Sequence, residues 1–189
     1  MSKTGKLVVV SGPSGVGKSS LLAEVLKRCD ASFSVSATTR RPRAGEVDGQ
    51  AYWFVDRPTF EKMIADGRLL EWAGVFDQYY GTPAEPIEQA LGEGRTVLLD
   101  IDVQGGLQVH QKMPQATFVL VVPPSREELA RRLTGRGSEA PGDLAKRLAK
   151  ADEEIAAAKS SSVYNHVIVN DDLERAATEL VQIVGSQRE

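Results

Sequence analysis

The chain has 189 residues, 41% hydrophobic and 26% charged, with a formal net charge of -3. That length suits one compact domain with room for inserted subdomains, and the composition lies far from that of disordered chains. The acidic balance argues against a nucleic-acid binder, no apolar run nears the ~20 residues that span a bilayer, and the lone Cys29 excludes an intramolecular disulfide or a cysteine-based zinc site.

Met1 to Lys6 lead into a strand-like run rather than a signal peptide, so a cytoplasmic address is expected. Leu7 to Val10 is a short apolar run, Ser11 to Gly17 is rich in glycine, and Ser19 to Arg28 spaces Leu21, Leu22, Val25 and Leu26 along one helical face. The prediction is strand, loop, helix. Within it, Gly12-Pro13-Ser14-Gly15-Val16-Gly17-Lys18-Ser19 fills the pattern G-x-x-x-x-G-K-[ST] in the context the motif requires. Its glycines let backbone N–H groups turn inward as a cradle for oxygen anions, the helix start adds its positive dipole end, and Lys18 can reach the β and γ phosphates of a nucleoside triphosphate. The Ser19 hydroxyl would ligate Mg2+.

Positive charge is local. Arg40, Arg41 and Arg43 fall within four positions around Pro42. Forked donors so placed can enclose a phosphate, and equally can form a solvated loop. From Thr38 to Arg95 the aromatics Tyr52, Trp53, Phe54, Phe60, Trp72, Phe76, Tyr79 and Tyr80 alternate with turn glycines, which predicts an inserted subdomain of mixed α and β structure. Glu71 beside Trp72 would on its own read as a surface charge on an edge strand.

Continuous apolar strands return at Thr96 to Leu99, at Phe118 to Val122 and at Val167 to Val169. Separated by helical stretches, they predict a parallel sheet buried on both faces. Asp100 and Asp102 follow the first of these, where a carboxylate either approaches a metal or caps the turn at Gln104-Gly105-Gly106. Ser125 to Ala158 is helical and charged, broken by the glycine-rich residues 135–142, and is predicted to be a lid. On a helix from Arg126, Arg132 and Arg136 would face the same way, and Arg147 would belong to the next helix. Leu173 to Val184 closes the chain as an amphipathic helix. His110 and His166 are isolated and are read as structural or surface residues. A GTPase would carry an N-K-x-D motif, and Asn170-Asp171-Asp172 lacks the lysine.

Taken in order, Ser11 to Ser19, Ser34 to Gly49, Glu71-Trp72-Ala73, Tyr79-Tyr80-Gly81, Leu98 to Gly105, Gly135-Arg136-Gly137 and Val167 to Asp172 resemble guanylate kinase. The resemblance runs from about Lys6 to about Val184. It implies transfer of the γ-phosphoryl group of ATP to GMP, giving ADP and GDP, in purine nucleotide metabolism. The expected architecture is an α/β P-loop domain: a core of about 1–37, 96–124 and 159–189, a GMP-binding insertion of about 38–95, and a helical lid of about 125–158.

By the same resemblance Arg40, Arg43, Tyr52 and Tyr80 would grip the GMP phosphate, with Asp100 nearby, while Ser36, Glu71 and Thr82 would read guanine. At Thr82 the family often has serine. Chemistry supports Glu71 independently, because a carboxylate can accept from the N1–H and the 2-amino group of guanine, whereas adenine offers neither donor. Residues Gly12 to Ser19, Arg132, Arg136 and Asn170 would hold ATP, with Lys18, Arg40, Arg132, Arg136 and Arg147 acting on the transferred group. Ser19, Asp100 and Asp102 would bind Mg2+, partly through water. No general base is expected, since the acceptor phosphate is already ionised. The expected partners are ATP and GMP, with no nucleic acid, no membrane and no obligatory protein partner. Two other readings are a non-catalytic guanylate-kinase-like interaction module, which usually has an eroded phosphate loop, and a ribosyl-phosphate kinase, which would have no use for Glu71.

Overall fold

The computed structural model describes residues 5–135 and 143–185. Its centre is a five-stranded, all-parallel sheet in the order β2-β7-β1-β8-β9, formed by β1 (Lys6–Ser11), β2 (Ala31–Phe33), β7 (Thr96–Ile101), β8 (Thr117–Val122) and β9 (His166–Val169). Alternation along β1 explains the layers, because successive side chains of a strand point to opposite faces. Val8 and Val10 pack with Leu21, Leu22 and Val25 of α1 (Lys18–Leu26) and with Ala177 and Leu180 of α7 (Leu173–Gly185). Leu7 and Val9 pack the other way, with Ile87 and Ala90 of α3 (Ala84–Gly92) and Val109 of α4 (Val103–Lys112). Both faces of the central strands β1, β7 and β8 are covered, which is why those three are nearly continuously apolar.

A second, four-stranded sheet has the order β4-β3-β6-β5, from β3 (Ala37–Thr38), β4 (Trp53–Phe54), β5 (Leu69–Val75) and β6 (Gln78–Pro83). Its two longer strands are antiparallel, and a small core of Ala37, Phe60 and Leu69 closes it against α2 (Arg57–Ala65). Asp56 caps that helix by accepting the Thr59 N–H, with Pro58 in its first turn. The remaining helices are α5 (Arg126–Thr134), capped by Ser125, and α6 (Asp143–Ser160), which meet through Leu129, Leu133, Leu148 and Ala151.

Two details differ from the sequence reading. The edge strand β2 was not anticipated, because Ala31-Ser32-Phe33 carries no apolar run; it is recruited by backbone pairing with Thr96 to Leu98. Helix α5 ends at Thr134, so the helical spacing that would align Arg136 with Arg132 stops short of it. Arg136 and residues 137–142 lie outside the described residues. Among the described residues no helix is long and apolar enough to cross a membrane.

Candidate functional site

The phosphate loop lies between β1 and α1. Gly15 and Gly17 have φ of +85° and +95°, the left-handed region that side chains resist, and a Cβ on Gly12 would meet the Val121 carbonyl at 2.2 Å. The loop therefore depends on glycine at these positions. Lys18 Nζ donates to the Gly12 carbonyl at 2.7 Å and lies 3.8 Å from Asp100 Oδ1. A cavity of about 320 Å3 opens over the loop, lined on one side by Gly12 to Gly15, Gly17, Lys18 and Ser19, and on the other by Asp102, Lys150 and Glu154.

Two flanking residues fasten the loop through its Val16 carbonyl. The Asn170 side chain is buried and donates to the Val16 carbonyl at 2.8 Å. Arg132 reaches the same carbonyl at 3.2 Å and the Asn170 carbonyl at 2.9 Å, while Glu128 steadies its Nε. As seen here, Asn170 supports the loop. Arg147 on α6 crosses to Ser14 and donates to its hydroxyl at 2.9 Å.

Asp100 lies near the end of β7, beside Lys18. Burial pushes its carboxyl up from the ordinary range, while Lys18 and a hydrogen bond with Ser19 pull it back down. Asp102, not Asp100, is the helix cap: its Oδ1 accepts the Gly105 N–H at 2.7 Å and opens α4. Asp102 also lines the cavity over the loop. Ser19, Asp100 and Asp102 thus offer hard oxygen donors beside the loop, the donor type Mg2+ takes when it keeps several waters and bridges phosphates. The residues fit the ion.

The second cluster is built on the four-stranded sheet. Glu71 and Thr82 face each other across β5 and β6, and the Thr82 hydroxyl donates to Glu71 Oε1 at 2.6 Å. Glu71 is 7% exposed and Thr82 is 0% exposed. Burial pushes the Glu71 carboxyl up to about 7, against the pull of the Thr82 hydroxyl and, more weakly, of Lys112, with nearby Asp102 adding to the rise. Glu71 is therefore no surface charge. Trp72, next in the strand, points the other way and is partly exposed against Tyr79.

At the far end of the same sheet, Arg40 forms a two-pronged ion pair with Glu46, Nη1 to Oε2 and Nη2 to Oε1, both 2.9 Å. Its guanidinium sits 5.4 Å from the Tyr52 ring centre and 5.7 Å from that of Phe54, and it hydrogen-bonds Tyr80. Tyr52 and Tyr80 meet edge to face at 6.0 Å. Burial raises the Tyr52 hydroxyl, on which the charges of Arg40 and Asp100 also act, so this cluster adjoins the end of β7. The cationic loop is exposed yet folded on itself: Glu46 Oε2 also accepts the Arg43 N–H, and the Glu46 N–H returns to the Arg43 carbonyl. The Arg43 side chain itself is exposed, and Ser36, half-buried, pairs its backbone carbonyl with Trp53.

Three site-lining residues were missed from sequence. Glu46 falls inside the stretch Ser34 to Gly49 without a role in the sequence reading, although an acid six residues after Arg40 across a glycine turn is a natural partner. Lys150 and Glu154 follow Arg147 at helical spacing, and that shared face was the available signal. Glu154 is buried, and burial pushes its carboxyl upward, with Lys150 3.8 Å away. His110 packs edge-on against Phe118, as a structural residue.

Comparison with known proteins adds to this geometry. A family model described as guanylate kinase matches residues 4–187. A guanylate kinase of Synechocystis sp. is 46% identical over 187 residues, covering 98% of this chain and 96% of its own length. One from Caldanaerobacter subterraneus is 44% identical over 189 residues, covering 100% and 90%. The crystal structure of guanylate kinase from Anaplasma phagocytophilum superposes with a TM-score of 0.73 at 34% identity, covering 96% of this chain and 85% of that one.

Proposed function

The chain belongs to the guanylate kinase family, and from that premise we propose that its two clusters are the donor and acceptor halves of one site, transferring the γ-phosphoryl group of ATP to GMP. The observation that carries the acceptor assignment is the buried Glu71–Thr82 pair. A buried carboxylate whose Oε1 accepts a single hydrogen bond keeps acceptor capacity on both oxygens, and guanine brings two N–H donors on adjacent atoms. Adenine would leave the carboxylate unmatched, a defect worth on the order of 10^4 in discrimination at sites of this kind. Neither the interaction-module reading nor the ribosyl-phosphate reading has support, since the phosphate loop is intact and Glu71 is buried in the acceptor half.

Phosphoryl transfer needs alignment, charge neutralisation and dryness more than a base. In this reading the loop N–H groups and Lys18 hold the ATP phosphates, Lys18 exchanging the Gly12 carbonyl for a phosphate oxygen. Mg2+ would be held by Ser19, Asp100 and Asp102, partly through water, and would supply charge neutralisation on the donor phosphates. Arg40, Tyr52 and Tyr80 take the GMP phosphate, with Arg43 turning in from the surface, and Ser36, Glu71 and Thr82 take the base. Arg132 and Arg147 lie on the lid side of the loop and add positive charge where it develops in the transition state. Arg136 is assigned to that side by resemblance alone. We assign the lid to about 125–158 and the acceptor subdomain to about 38–95, both closing on the core to exclude water. Cytoplasmic operation fits a chain whose one cysteine is half-buried and past the end of α1.

The test is a coupled ADP-release assay with GMP, AMP, CMP and UMP at equal concentration. GMP is the expected acceptor by a wide margin, and preference for any other nucleotide would overturn the assignment.

A further inference from the structure

Strand β5 carries Glu71 yet lies at the edge of its sheet, with one row of backbone groups facing away from β6. Such a row must find partners or water, and a strand left open on one side is free to shift. Here the partner is a helix. Gln108 of α4 accepts the Trp72 N–H at 3.2 Å and donates its amide to the Trp72 carbonyl at 3.1 Å. A primary amide offers one acceptor and two donors, so it matches a residue's main chain as a neighbouring strand would. One turn further, Lys112 Nζ donates to the Leu69 carbonyl at 2.5 Å. Between these two anchors the β5–β6 register shifts, at Leu69 to Glu71, which turns the Leu69 carbonyl and the Trp72 main chain to the same helix.

The same face of α4 also touches the carboxylate. A Cβ added to Gly105 would lie 3.1 Å from Glu71 Oε2 and 3.4 Å from its Cδ. Gly105, Gln108 and Lys112 are three and four residues apart, and so share one side of the helix. The helix begins at Asp102, whose carboxylate lines the phosphate cavity. One rigid helix therefore spans from the donor pocket to the backbone on both sides of Glu71.

We propose that Gln108 and Lys112 are positioning residues for base recognition, closing the open edge of β5 and so setting Glu71 at a defined place relative to the phosphate loop. The proposal rests on the assignment of Glu71 to the guanine site. Neither side chain lines the phosphate cavity, and neither belongs to the clusters assigned to ATP or to the GMP phosphate. Their contribution falls on the acceptor base and not on the donor.

The test uses Gln108→Met and Lys112→Met, singly and together, since methionine keeps length and packing while removing the polar bonds. Kinetics with GMP, AMP and ATP are read beside thermal unfolding and amide exchange at Trp72. The double variant is expected to raise KM for GMP about tenfold, as the loss of a small set of backbone-directed bonds should, with KM for ATP within about twofold of wild type. The AMP-to-GMP activity ratio should rise, and the Trp72 amide should exchange faster in Gln108→Met. An unchanged KM for GMP, or parallel increases in KM for GMP and ATP that mark general damage, overturns the proposal. Glu71→Gln run alongside separates the two levels. If it keeps full preference for GMP, the base-site assignment fails and takes the clamp with it; if it loses that preference while the double variant retains wild-type GMP kinetics, the clamp alone fails.

Discussion

The proposed donor and acceptor halves are built in opposite ways. The phosphate loop is a run of consecutive residues that binds largely with its own backbone, so its geometry is dictated by where glycine is required and by a strand and helix that follow at once. The acceptor half gathers side chains from β5, β6 and the loop between β3 and β4, held by ion pairs and cross-strand contacts. A backbone cradle recognises any triphosphate. Selectivity between bases must come from the half assembled by side chains.

The largest effect belongs to the donor half. Lys18→Ala removes the ammonium that the loop itself supplies, and kcat/KM is expected to fall by about 10^3 or more with any acceptor, by analogy with other single cations on transferred phosphoryl groups. Circular dichroism should stay unchanged. A loss confined to GMP, with other acceptors spared, would break the division between the halves.

Glu71→Gln probes the acceptor half. The amide offers one oxygen where guanine presents two donors, so discrimination of GMP over AMP should fall by a factor of about 10^2 or more while KM for ATP holds. An unchanged AMP-to-GMP ratio would remove Glu71 from the base site.

Glu46→Gln is expected to act more gently. Arg40 keeps its aromatic neighbours and Tyr80 but loses one charged prong, and KM for GMP should rise about tenfold with a smaller change in kcat. If Glu46 instead occupied the fork that the incoming phosphate needs, the same variant would lower KM for GMP. The anchoring of Glu46 by the Arg43 N–H favours the first outcome, since it ties the carboxylate into the loop itself.

The contrast between halves also explains what could be read in the sequence. Continuous apolar strands at 96–99 and 118–122 announced the parallel sheet because both faces of its central strands are buried, the run at 167–169 is apolar although Val167 and Val169 are exposed at the sheet edge, and the glycine pattern announced the loop because φ near +90° leaves little choice at Gly15 and Gly17. Strand β2 stayed hidden because backbone pairing recruits it without an apolar signature. In the acceptor half no local pattern says that Glu71 is buried. That depends on α4 arriving with a glycine at 105, more than thirty residues later in the chain. The resemblance to a family supplied Glu71, Thr82 and Arg40; it supplied neither Glu46 nor Gln108, whose partners are evident only once the sheet is folded.

The smallest effect is the most diagnostic, because it follows from burial alone. In the free protein the Glu71 carboxyl is pushed from 4.5 up to about 7, chiefly by burial and further by Asp102, with the Thr82 hydroxyl and Lys112 opposing. Between those values the folded chain keeps a proton that the unfolded chain has released. Stability from this group is therefore fully present below about pH 4.5 and is lost as pH rises to 7, a change of about 3 kcal/mol at most. Guanine asks for the opposite state, since only the ionised carboxylate accepts from both of its donors. Raising pH from 6.5 to 8 should then strengthen GMP binding about fourfold through this group, simply by the rise in its ionised fraction. Titration calorimetry near pH 6.5, in two buffers of different ionisation heat, should show proton release on GMP binding in excess of that shown by Glu71→Gln, which controls for protons on the GMP phosphate. Thermal unfolding should match: the stability of wild type relative to Glu71→Gln should decline between pH 5 and 8. A flat difference across that range would mean that Glu71 is already ionised in the free protein, and that the acceptor half is set for guanine before guanine arrives.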